Sequence, residues 1–136
     1  MEKHSGSKFV AGMDVAQVAK AIRADFKAAV KAHTLPADFK ASVKISRFAG
    51  GCALDVFIQG GTTGCFNPEY WKNLNKFGAE RPSRFTADGS ALLAAVEAIC
   101  KAYQRYESDA MSDYHNTNFY LNVQYDRAVE QAASVQ

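Results

Sequence analysis

The stretch Lys44-Ile45-Ser46-Arg47-Phe48-Ala49-Gly50-Gly51-Cys52-Ala53-Leu54-Asp55-Val56-Phe57-Ile58 decides the fold. Ahead of the paired glycines, Val43 and Ile45 alternate with Lys44 and Ser46. Behind them, Leu54, Val56 and Ile58 alternate with Asp55 and Phe57. Apolar residues at every second position give a strand one buried face, and glycine reaches the positive φ that tight hairpin turns require. The segment therefore reads as two strands joined at a Gly-Gly turn, spanning roughly residues 40–59.

Upstream, Asp14 with Gln17 three residues later forms a capping-box pattern. Val15, Val18, Ile22, Phe26 and Val30 then recur at helical spacing, which predicts a helix with one apolar stripe. Leu35-Pro36 disfavours helix and should end it near His33. Residues 1–12 are mostly polar and are expected to be flexible.

Downstream, Gly60-Gly61-Thr62-Thr63-Gly64 interrupts regular structure. Asn67-Pro68 suits a cap followed by proline at the first helical position. Tyr70, Trp71, Leu74 and Phe77 then predict a short helix closed by Gly78. A loop with Arg81, Pro82 and Arg84 leads to a long helix over about 87–107, striped by Leu92, Val96, Ile99 and Tyr103. Ser108 to Asn116 reads as a polar loop. Phe119, Leu121, Val123 and Tyr125, alternating with Tyr120, Asn122 and Gln124, predict a final strand. Residues 127–136 form a tail, either helical or disordered. The order is α-β-β-α-α-β, an α+β class in which a small, three-stranded, largely antiparallel sheet is covered by helices. A single domain over 13–126 is expected.

The chain has 136 residues and a net charge of +2, which alone indicates neither nucleic acid nor membrane as a partner. The charge is uneven: residues 1–84 hold 13 Lys/Arg against 7 Asp/Glu, and residues 85–136 hold 3 against 7. Such asymmetry favours a basic and an acidic region. Cys52, Cys65 and Cys100 have no metal or redox spacing, and their odd number argues against a disulfide framework. With no secretory apolar segment and no run long enough to span a bilayer, a cytoplasmic, reduced protein with no membrane association is expected.

Several constellations bear on function. Lys20, Arg23, Lys27 and Lys31 recur at three- and four-residue steps, a cationic helix face able to follow a phosphate backbone or simply to be solvated. Lys44, on the outward side of its strand, would extend that face. Arg47 beside the glycine turn could clamp a phosphate or carboxylate through its bidentate fork, or pair with a nearby acid such as Asp55. Gly61-Thr62-Thr63-Gly64 resembles a backbone-gripping Gly-x-x-Gly loop, but it precedes the helix pair instead of joining it, so it is read as a turn. Cys65 with Asp113, His115 and Asn118 would be needed for thiol catalysis, yet nothing local activates the cysteine. His4 and His33 are isolated as metal ligands. No catalytic residue, metal or cofactor is assigned. Tyr120 should point away from the Phe119–Tyr125 stripe, where with Phe57 it forms either an open aromatic platform or a second small core. The second of these is the expectation.

Val18-Ala19-Lys20-Ala21-Ile22-Arg23, the hairpin from Val43 to Gly51, Leu54-Asp55-Val56, and Asp113-Tyr114-His115 with Asn118-Phe119-Tyr120-Leu121 together resemble the large polyvalent-protein-associated domain family, the twenty-ninth of that series, from phages and conjugative elements. Residues 60–88 have no counterpart in that pattern. The resemblance implies mobile-element biology and no known reaction. The expected function is a non-enzymatic, macromolecule-binding protein in the cytoplasm of a bacterial host cell. Its most specific form is a counter-defence inhibitor of a bacterial immune complex, whether protein or ribonucleoprotein. The alternative is an accessory protein that binds nucleic acid directly through Lys20, Arg23, Lys27, Lys31, Lys44 and Arg47.

Overall fold

The computed structural model describes residues 2–67, 69–70, 83–109 and 114–134. Helix α1 covers Val15–Lys31 and opens on the expected capping box. The Asp14 carboxylate accepts from the Ala16 N–H at 3.3 Å, and the Gln17 side chain accepts from the Asp14 N–H at 3.0 Å. Its buried side chains, Val15, Val18, Ala19, Ile22 and Phe26, follow the stripe read from the sequence. The helix stops where expected. His33 takes a left-handed φ of 64°, and Leu35 turns into the core.

Strands β2 (Lys40–Phe48) and β3 (Gly51–Gly60) form the antiparallel hairpin, with Val43 opposite Val56 and Ile45 opposite Leu54. Gly51 already pairs with Phe48, so the turn itself is Ala49-Gly50, and Gly50 supplies the positive φ of 91°. The last strand of this sheet, β6 (Tyr120–Tyr125), lies against β3 in parallel, Leu54 beside Leu121 and Val56 beside Val123. The α+β class stands, with a three-stranded sheet ordered β2-β3-β6. The largely antiparallel expectation is corrected, because one of the two pairings in this sheet is parallel.

Further strands lie where none were expected. Glu2–Ser5 (β1), Arg105–Asp109 (β4) and Tyr114–Thr117 (β5) form a second antiparallel sheet ordered β1-β4-β5. Part of the region read as a flexible start is therefore strand, and so are all the described residues of the region read as a loop after residue 107. Helix α2 covers Ala87–Lys101, shorter than the sequence suggested. Its stripe does continue to buried Tyr103, but the backbone tightens there: the Tyr103 and Gln104 N–H groups bond three residues back, to Cys100 and Lys101. The chain then enters β4. Helix α3 (Arg127–Ser134) makes the tail helical. The Asn67 side chain accepts from the Glu69 N–H at 3.1 Å, as a cap should. The helix foreseen through Trp71 and Phe77 lies outside the described residues, as does the loop with Arg81 and Pro82.

One core joins α1, α2 and the inner face of the β2-β3-β6 sheet. Ile22, Leu54, Val56, Ile58, Val96 and Cys100 are fully buried in it. Asn118 links the two sheets. Its amide oxygen accepts from the Arg105 N–H at 2.8 Å, and its amide nitrogen donates to the Tyr103 carbonyl at 2.9 Å. The buried Gln104 amide donates to the Phe119 carbonyl at 3.0 Å, which satisfies a polar pair inside the fold. A latch ties α1 to the turn after α2: the Tyr103 hydroxyl donates to Asp25 at 2.6 Å, and Lys8 donates to the same carboxylate at 2.9 Å.

Gly89, buried in the first turn of α2, lies so close to the Cys65 carbonyl that a Cβ would overlap it. Gly89→Ala should therefore cost about 2–3 kcal/mol in urea unfolding, the range of core overpacking. Burial pushes the Asp25 carboxyl up, but the hydrogen bonds from Tyr103 and Lys8 outweigh it and hold the group below its ordinary 3.8. A depressed carboxylate contributes stability above its unfolded value, and that stability is lost as pH falls through the folded value. Tyr103→Phe should lower unfolding free energy by about 1 kcal/mol at neutral pH, a deficit that narrows as acid titrates Asp25.

Candidate binding surfaces

The pleat assigns side chains to two faces of the β2-β3-β6 sheet. Val43, Ile45, Leu54, Val56, Ile58, Leu121 and Val123 point to the helices. Lys44, Ser46 and Phe48 of β2, Asp55 and Phe57 of β3, and Tyr120 and Asn122 of β6 share the outer face. The outer face is open around Phe48 and Tyr120, which are 49% and 42% exposed with ring centroids 6.0 Å apart. Gly51 lies beside both rings. The expectation that Tyr120 belongs to a second small core is corrected. It is part-exposed on an aromatic surface, where among the described residues Phe48, not Phe57, is its ring neighbour.

The polar groups on this face are organised. The Asp55 carboxylate accepts from the Ser46 hydroxyl at 3.2 Å and from the Asn122 amide at 2.9 Å, one partner from each neighbouring strand. The Lys44 ammonium lies over the Phe57 ring, 5.5 Å from its centroid.

The cationic residues named from the sequence do not form one site. Lys20, Arg23, Lys27 and Lys31 are exposed along α1. Lys44 lies on the outer face of the sheet, whereas α1 covers the inner face, so Lys44 does not extend the helical stripe. Arg47 is 3.6 Å from Asp14, with both side chains more than half exposed. Its acidic neighbour is thus the α1 cap, not Asp55. Arg23 donates to the Val43 carbonyl at 2.7 Å.

A second locus, not foreseen, is a cavity of about 620 Å³ bordered by Arg84, Phe85, Tyr125, Arg127 and Glu130. The Arg84 guanidinium grips the buried Glu130 carboxylate through two bonds of 2.6 Å, and those bonds raise the arginine's pKa. Phe66, Phe85 and Tyr125 cluster beside it, and the Tyr125 hydroxyl donates to the Gly89 carbonyl at 2.6 Å. Burial and the neighbouring thiol push the Tyr125 phenol upward. The charges of Arg84 and Glu130 satisfy each other, so the pair reads as structural.

Of the thiol constellation, the side chains of Cys65 and Asn118 can be placed. Cys65 is buried against the start of α2, and burial raises its thiol pKa. That is the reverse of what a nucleophile needs. Asn118 is spent on the junction between the sheets. Asp113 and the His115 side chain lie outside the described residues. The Gly61–Gly64 loop is a turn. Both glycines have positive φ, and the Gly64 carbonyl accepts from Thr86, the α2 cap. Among the described residues no three His, Cys, Asp or Glu side chains form a metal-binding group, and no helix is long and apolar enough to cross a membrane.

Of the paired rings Phe48 and Tyr120, Tyr120 is visible in the alternation of its strand. Phe48 was missed, although it shares the even-numbered face of Lys44 and Ser46, because it abuts the turn. No protein-family model, curated protein or solved structure matches this chain.

Arg84→Ala should leave Glu130 buried without its counter-charge. Because Arg84 is itself half exposed, the expected loss is about 2 kcal/mol, below the range for fully buried pairs. Arg84→Ala with Glu130→Gln should recover part of it in urea titrations at neutral pH.

Proposed function

We propose that this chain is a non-enzymatic binding protein that recognises a macromolecular partner through the outer face of the β2-β3-β6 sheet. The observation that carries this reading is the Phe48–Tyr120 pair, two large aromatics each a little under half exposed, side by side on one sheet face. Aromatic side chains on a rigid scaffold offer large contact area at little entropic cost, and such residues dominate binding energy at protein interfaces. Strands β2 and β6, tied through β3, fix the two rings. Asp55, Ser46 and Asn122 supply a polar surround whose hydrogen bonds are already made.

The preferred partner is a protein surface, alone or within a ribonucleoprotein. A carboxylate at the centre of the face disfavours a phosphate backbone across it, which separates this reading from a nucleic-acid platform. Together with the family resemblance, it supports a small counter-defence inhibitor, encoded by a phage or mobile element, that occludes a bacterial immune complex. The second reading, direct nucleic-acid binding, rests on a different observation: four cations exposed along α1.

The two readings part in one experiment. Tagged protein is used to capture partners from bacterial lysate with and without nuclease, beside a Phe48→Ala/Tyr120→Ala variant. A defined partner that survives nuclease and falls at least about tenfold in the variant fits the proposal. Capture that vanishes with nuclease, and that responds to Arg23→Ala/Lys27→Ala instead, supports the nucleic-acid reading. Because both rings are exposed, the double variant should unfold within about 1 kcal/mol of the parent.

A further inference from the structure

We infer that the groove between α1 and the edge strand β2 is a docking site for an acidic segment of a partner protein that carries one large apolar side chain. This site is separate from the outer sheet face, and the inference does not depend on the function proposed for that face. The groove encloses about 390 Å³. Its apolar lining is Phe26, Val30 and Phe39, with Phe26 and Phe39 packed edge to face at 5.4 Å and 75°. Its rim is cationic, formed by Arg23, Lys27 and Lys40. No carboxylate is among the lining residues, and the three cations are exposed.

Each feature narrows the occupant. Three like charges around one apolar depression repel one another until a counter-charge arrives. Arg23 is held in place by the single bond from its Nη2 to the Val43 carbonyl, 2.7 Å, which leaves most of its five N–H donors for a carboxylate. Phe39 is only partly covered by its neighbours, so a bulky side chain placed over it would remove apolar surface from water on both partners. An apolar anchor inside a ring of charge complementarity is the arrangement that gives both affinity and register at protein interfaces.

A nucleic-acid strand fits less well. Its backbone has charge but no apolar group to insert. Bases stack on open ring faces, whereas the two phenyl rings here meet edge to face. A phosphate track would also engage Lys20 and Lys31, neither of which borders the groove.

The test is fluorescence anisotropy on the full chain with three labelled probes: a Glu/Asp-rich peptide with one central Trp, the same peptide with Ser in place of Trp, and a deoxythymidine oligonucleotide. The Trp peptide is expected to bind at least about tenfold more tightly than the Ser peptide. Lys27→Glu/Lys40→Glu should weaken it by a similar factor with Tm unchanged. Phe48→Ala/Tyr120→Ala, on the other surface, should leave it unaffected. Equal binding of the two peptides would overturn the proposal, since charge alone would explain it. So would tighter binding of the oligonucleotide, no saturable binding of the Trp peptide, or indifference to charge reversal at Lys27 and Lys40.

Discussion

The parallel pairing of β6 with β3 is the constraint on which the rest of the structure depends. Antiparallel neighbours can be joined by a short turn, as β2 and β3 are. Parallel neighbours need a crossover long enough to carry the chain back to the same end of the sheet. Here the connection runs from Gly60 to Tyr120 and contains α2 and the β4–β5 pair. Laid back over the sheet, α2 joins α1 on its inner face and completes the core around Leu54, Val56 and Ile58. Strands β4 and β5 of the second sheet belong to the same excursion, with β1 joining them from the start of the chain, and Asn118 fastens β4 just before β6 begins.

Covering one face of the sheet leaves the other to different physics. The inner face is apolar and buried. The outer face is built from hydrogen-bonded polar groups and rings that the chain only partly covers. Covering a side chain of that size contributes about 1.5–3 kcal/mol. At Phe48 and Tyr120 much of that free energy remains available to a partner. The groove beside β2 repeats the pattern with different chemistry, because its apolar lining sits under positive charge. The chain thus presents two surfaces on either side of one strand, one aromatic and close to neutral, one cationic.

What could be read from the sequence followed the strength of the local periodicity. The α1 stripe, the hairpin and the β6 alternation each extend over enough residues to fix their faces, and with them the orientation of Tyr120. Strands β1, β4 and β5 are only 4 or 5 residues long and mostly polar, so no alternation announces them. They depend on backbone pairing and on the Asn118 junction, which are tertiary facts. Helix α2 was read too long because Tyr103 keeps the helical stripe after the helix itself has ended. The direction of β6 was invisible for a related reason: alternation shows which way side chains point but not which way the neighbouring strand runs. The candidate surfaces divide the same way. The α1 cations were legible as a face, but the groove needs Phe39 and Lys40 folded against that face. Arg47 meets Asp14 only because the hairpin tip reaches the start of α1.

The bond from Arg23 to the Val43 carbonyl also bears on how the protein behaves at high concentration. As an edge strand of 9 residues, β2 offers a row of backbone groups that another chain could extend into a continuous ladder. A guanidinium seated on a carbonyl in the middle of that row interrupts it, and the charges of Lys40 and Lys44 stand on either side along the same strand. Edge-to-edge stacking of copies would have to break that bond and bring like charges together. The same arginine that shapes the groove therefore helps to keep the molecules apart in solution.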